Sequence, residues 1–126
     1  MPSTVFKDPG QLSSITDHIH DRWFEKEAII FDKGKSVLTI PFFERTSSGW
    51  PFKKKKAVRP AGVLKIHNVA THTIRDTEEV GMYDFNELVY DRKSNRLSIT
   101  TGVPIEIEIT ITAFEITIEE PQSQEV

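Results

Sequence analysis

The chain has 126 residues and a net charge of −3, with 37% hydrophobic and 28% charged residues, the size and balance of one ordinary globular domain. That composition excludes collagen, coiled coil and wholesale disorder, and no run of about 18 apolar residues offers a membrane-spanning helix. The absence of cysteine excludes disulfides, thiol catalysis, zinc ribbons and iron–sulfur clusters.

The first eight residues lack the basic and apolar regions of a secretory signal, so a cytoplasmic location is expected. Asp8-Pro9 reads as a helix start, with Asp8 as N-cap and Pro9 in the first helical position. Leu12, Ile15, Ile19 and Trp23 then share one stripe of a helical wheel, which predicts a helix over about 9–22. Residues 23–31 are rich in aromatic and β-branched types and predict a strand. Asp32-Lys33-Gly34-Lys35 is a hairpin signal in which Gly34 is free to take a positive φ. The return strand, 36–43, places Leu38, Ile40 and Phe42 on one face. Residues 44–60, rich in Pro and Lys, predict a loop. Alternation resumes over 61–74, with Leu64, Ile66, Ala70 and Ile74 on one face, and 75–81 reads as a polar turn.

In the strand 82–90 the apolar parity changes between Phe85 and Leu88, which predicts a bulge near Asn86. A turn at 91–95 precedes a short strand at 96–101 carrying Leu97 and Ile99. The segment 103–119 alternates apolar and polar residues through Ile111, then resumes on the opposite parity from Phe114. At about 3.3 Å per residue it would span roughly 56 Å, too long for one straight strand here. The flip near Ala113 therefore requires a bend or two separate strands. The expected fold class is α+β in one domain, 1–126: one N-terminal helix packed on a strongly curved, mainly antiparallel meander of about six strands. Nothing after residue 22 offers a helix for parallel crossovers.

Charge is strongly segregated along the chain. Residues 1–43 carry −1, residues 44–75 carry +7 and residues 76–126 carry −9. Local patches therefore say more about partners than the net charge does.

Few residue patterns point to catalysis. Asp17-His18-Ile19-His20-Asp21 gathers two His and two Asp, but His18 and His20 lie about 200° apart on a helix, whereas helical ligand pairs sit at i, i+3 or i+4. His18, His20 and Asp21 are thus weak metal candidates, and no metal or other cofactor is expected. His67 and His72 lie five apart on one strand and project to opposite faces. The serines cluster in turns with no Gly-x-Ser-x-Gly, there is no glycine-rich phosphate loop, and residues 84–88 fail the calcium-loop pattern. No catalytic residue is assigned and enzymatic activity is not expected.

The loop 44–60 is the stronger lead, because long loops in compact domains are usually functional or disordered. Trp50 and Phe52 stand beside Lys53, Lys54, Lys55 and Lys56, with Arg59 close behind. Aromatic anchors with adjacent positive charge suit a protein hot spot facing an acidic partner. The same residues suit single-stranded nucleic acid, which is the alternative. A small-ligand pocket beneath the sheet is a third reading. Glu106, Glu108, Glu115 and Glu119 form an acidic comb along the last strands, and a second copy's basic loop would complement it, so a homodimer is among the expected protein partnerships. No membrane partner is expected.

An apolar helix running into Ile19-His20-Asp21-Arg22-Trp23-Phe24, followed by the Asp32–Gly34 hairpin, resembles the opening of several small bacterial families. These begin with a Leu/Ile-His-Asp motif and a strand meander, and some are immunity proteins of polymorphic toxin systems. The resemblance covers about the first 43 residues and implies a small cytoplasmic protein that acts by binding. In that setting His20 and Asp21 would lock the helix-to-strand junction.

Overall fold

Asp8 opens the first helical segment by a reciprocal cap: its carboxylate accepts from the Gly10 N–H at 2.9 Å, while Gln11 Oε1 accepts from the Asp8 N–H at 3.3 Å. In the structure, a computed structural model that describes residues 3–45 and 58–120, a 3-10 turn at Pro9–Gln11 leads into α1 at Leu12–Ile19. The helix therefore ends three residues short of the expected 22. Asp21 takes a left-handed φ of 67° and gives its N–H to the Phe85 carbonyl at 3.2 Å, which turns the chain into the sheet. Ile15 and Ile19 are wholly buried and form the packed stripe.

The ten strands among the described residues are β1 (Ser3–Phe6), β2 (Trp23–Glu25), β3 (Ile30–Asp32), β4 (Val37–Arg45) and β5 (Val58–Ile66), then β6 (Val69–Arg75), β7 (Met82–Asp91), β8 (Arg96–Thr101), β9 (Glu106–Ile111) and β10 (Ile116–Glu119). They pair antiparallel in the order β1-β10-β5-β4-β2-β7-β8-β9-β6, with β3 also beside β4. The fold is α+β with a large antiparallel sheet, but it is not a meander of about six strands. Among the described strands, consecutive antiparallel pairing runs through β3-β4-β5 and through β7-β8-β9, and the other neighbours in the sheet are not consecutive in the chain.

Two interruptions account for much of the difference. The expected strand 61–74 breaks at His67 and Asn68, and the segment 103–119 divides into β9 and β10. These breaks face each other: the His67 N–H bonds the Glu115 carbonyl at 3.0 Å, and the Thr112 N–H bonds the Asn68 carbonyl at 2.9 Å. β5 pairs with β10 and β6 with β9, so a two-stranded ribbon breaks in both strands at one corner. Asn68 supplies the left-handed residue there, with φ 59°.

The expected strand 23–31 is also divided, by a 3-10 turn at Lys26–Ala28. Its two halves lie along the same edge of β4, Trp23 opposite Phe43 and Ile30 opposite Thr39. Pro41, which has no N–H for a ladder, sits in the interval between them. At the 33–36 turn the positive φ belongs to Ser36, at 58°, rather than to Gly34. The β7 irregularity lies between Phe85 and Glu87, where the apolar parity changes. β1, absent from the sequence reading, pairs with β10 and buries Phe6.

The inward residues of the strands form one continuous apolar cluster with Ile15 and Ile19 of α1. Tyr83, Phe24 and Phe85 are its largest fully buried side chains, with the Phe24 and Phe85 rings 4.6 Å apart.

Candidate functional site

The β4–β5 hairpin carries the most unusual stretch of the sequence. Its ladder runs from Leu38 opposite Ile66 to Arg45 opposite Val58. The expected loop 44–60 is therefore too wide, since Glu44, Arg45 and 58–60 are paired strand. Pro60 is tolerated because it faces Phe43 at a bulge, where the register shifts between Phe42 and Phe43. Trp50, Phe52, Lys53, Lys54, Lys55 and Lys56 lie outside the described residues. The backbone of Arg59 pairs with Glu44. Arg22 Nη2 reaches Glu44 Oε2 at 3.2 Å, tying β4 to the chain just before β2.

The hairpin arms meet closely over the core. A Cβ on Gly62 would stand 2.7 Å from both the Glu119 carbonyl oxygen and Phe42 Cζ, so this glycine allows β5, β10 and the Phe42 ring to approach.

Beside the hairpin lies an apolar groove of about 460 Å³, lined by Ala28, Pro41, Phe43, Pro60 and Met82, with Glu25 among its walls. It follows from two local features. Pro41 and Phe43 occupy the parity opposite to the buried Leu38, Ile40 and Phe42, on a sheet face that is ordinarily polar. The 3-10 turn at Lys26–Ala28 then projects beside that face. The Lys26 N–H bonds the Gly81 carbonyl at 3.0 Å and so fastens the turn to the β6–β7 loop. Glu25 and Glu27 lie at the start of that turn and within it, and Glu78 and Glu79 lie in that loop, all exposed and none in an ion pair among the described residues. Val80, 57% exposed, adds an apolar side chain between Glu79 and Gly81.

The acidic comb has a different character from its sequence pattern. Glu106 pairs with Arg75 at 3.1 Å, Glu108 with Arg96 at 3.7 Å and Glu119 with Lys65 at 3.0 Å. Three of its four carboxylates are matched by cations on neighbouring strands, which leaves little of the comb to attract a basic partner. Each pair is at least partly solvated and is worth little to stability.

The histidines occupy structural positions. His18 Nδ1 lies 3.3 Å from Glu120 Oε2 and its ring meets Phe6 edge-on, whereas His20 Nδ1 lies 3.2 Å from Asp21 Oδ2 on the surface. The weak metal candidates His18, His20 and Asp21 are thus engaged separately, and among the described residues no group of three or more His, Asp or Glu converges as a metal site would. His67 Nε2 meets Thr117 Oγ1 at 2.9 Å, and the His72 ring packs at a tilt against Phe31 with ring centres 4.7 Å apart.

A second open cleft, about 440 Å³, lies between α1 and β7, with Ser13, Thr16, Asp17 and Glu87 in its walls. The groove residues Pro41, Phe43 and Met82 were not singled out by the sequence reading. The available signal was two apolar side chains on the solvent parity of a strand whose other parity was already apolar.

No protein-family model, curated protein or solved structure matches this chain.

Proposed function

We propose that this chain is a binding domain rather than a catalyst, and that it engages a protein partner through the loop end of the β4–β5 hairpin. One observation carries the reading. The ladder holds to Arg45 opposite Val58, so the segment with Trp50, Phe52 and four lysines is joined at both ends to paired strand beside an apolar groove. Trp50 and Phe52 are the anchors of the contact, and Lys53, Lys54, Lys55, Lys56 and Arg59 steer an acidic surface toward them. An immunity-type role in the cytoplasm, blocking another protein by covering it, is one form such binding takes.

The test is affinity capture at low and high salt, with the bound species identified by mass spectrometry and the wild type compared with a variant. The variant combines Trp50→Ala with Lys53→Glu, Lys54→Glu, Lys55→Glu and Lys56→Glu. A stoichiometric protein that survives high salt and is lost in the variant is the expected result. Heterogeneous nucleic acid released steeply as salt rises would replace this reading with nucleic-acid binding. Identical behaviour of wild type and variant would overturn the assignment of the hairpin.

A further inference from the structure

We propose that the groove beside β4 and β5 seats residues 50–56 of a second copy of this chain, so that two hairpins dock reciprocally about a twofold axis. The inference rests on the hairpin being the contact, and it narrows the partner to the chain itself.

Three observations converge on this occupant. The groove is apolar where an outward sheet face is ordinarily polar, and its volume of about 460 Å³ suits an aromatic anchor. Its wall and the segments attached to it are acidic: Glu25 in the wall, Glu27 on the adjoining turn, and Glu78 and Glu79 on the loop fastened to that turn carry no ion pair among the described residues, and the turn offers only Lys26 in return. An occupant should therefore join apolar anchors to positive charge, and Trp50-Pro51-Phe52 followed by four lysines does so within seven residues. The comb on β9 and β10 is not a competing seat, because Arg75, Arg96 and Lys65 already match three of its carboxylates.

The third observation is connectivity. Pro41, Phe43 and Pro60 of the groove lie on the two strands whose ends the basic segment joins. Anchor and seat on one hairpin make the surface self-complementary, the condition for an isologous dimer in which one rotation satisfies both contacts. Charge on the rim sets the encounter, and the apolar groove sets the lifetime.

The experiment is sedimentation equilibrium of the full chain across concentration, with thermal unfolding to confirm that each variant folds. Wild type should dimerise. Met82→Glu, which places charge in the groove, should weaken the dimer at least tenfold, as should the four lysine-to-glutamate changes together. Mixing the glutamate variant with one carrying Glu25→Lys and Glu27→Lys should restore a heterodimer that neither forms alone. A synthetic peptide of residues 47–59 should dissociate the wild-type dimer, a readout that needs no substitution. A wild type that stays monomeric overturns the inference, whether the segment folds onto its own groove or meets another protein. So does a dimer indifferent to Met82→Glu and to the peptide. In the monomeric case, a specific protein captured through residues 50–56 would leave the hairpin reading standing, whereas no dependence on those residues in either experiment would remove both.

Discussion

The buried hydroxyl of Tyr83 donates to the carboxylate of Asp76 across the β6–β7 loop. The same hydroxyl accepts from the Gly81 N–H at 3.0 Å, and Asp76 also accepts from the Glu79 N–H at 3.1 Å. Tyr83 therefore holds the loop that carries Glu78, Glu79 and Val80 and whose Gly81 carbonyl accepts from the Lys26 N–H. Burial first, and then the hydrogen bond to Asp76, push the phenol above its ordinary value of 10.0. The folded state thus keeps a proton that the unfolded chain releases at the ordinary value. The stabilisation is complete below that value and is lost as pH rises through the higher folded one. Titration followed at 295 nm should show Tyr83 ionising late and together with unfolding. Tyr83→Phe should remove that late step and lower the melting temperature by roughly 3–6 °C, because Asp76 and Gly81 lose a partner.

Gly62 offers a sharper test of packing. Its missing Cβ is what permits the 2.7 Å approach of the Glu119 carbonyl and Phe42 Cζ. Gly62→Ala should cost about 1–3 kcal/mol in urea denaturation, since β5, β10 or Phe42 must yield. Gly34→Ala is the matched control. A Cβ there would meet only Asp32 Oδ1, at 3.5 Å, and stability should change by less than about 0.5 kcal/mol.

Asp84 pins the connection between β8 and β9. Its Oδ1 accepts from the Gly102 N–H at 3.0 Å and the Val103 N–H at 2.9 Å. Asp84→Ala should cost about 1.5–3 kcal/mol by chemical denaturation, the range for hydrogen bonds to a charged acceptor. Asp84→Asn, which keeps an acceptor oxygen, should cost less. Slowed amide exchange at Gly102 and Val103 in wild type, lost in Asp84→Ala, would locate the effect in this turn.

Period-two patterning made much of the sheet legible before any contact was known. Leu38, Ile40 and Phe42, Leu97 and Ile99, and Ile107 through Ile111 alternate because one face of each strand enters the core. The parity changes near Asn86 and Ala113 marked real irregularities for the same reason, since a slip of one residue exchanges the two faces. What stayed hidden depends on distant partners. β1 has four residues and exists because β10, more than a hundred positions later, offers an edge. The break at His67 and Asn68 leaves the alternation almost undisturbed, and it is held by bonds to Thr112 and Glu115. The aromatic basic segment was visible as composition, whereas the groove beside it needed the 3-10 turn at Lys26–Ala28 to be placed against β4.

The corner of the ribbon gives the last test. Besides Tyr83 with its hydroxyl, Thr117 is the one polar side chain among the buried described residues, 8% exposed, and its hydroxyl meets His67 Nε2 at 2.9 Å. The backbone N–H of His67 also bonds the Glu115 carbonyl, so a single residue holds β10 by its ring and the residue just before β10 by its backbone, at the point where β5 ends. Thr117→Val preserves branching at Cβ and hence the strand preference, so its effect isolates the hydroxyl. The imidazole left without that partner should cost about 1 kcal/mol in denaturant unfolding, and Thr117→Ser should recover most of it. A double-mutant cycle with His67→Ala should return a coupling of about 0.5–1.5 kcal/mol. Additive single effects would mean that the backbone bonds alone hold the corner.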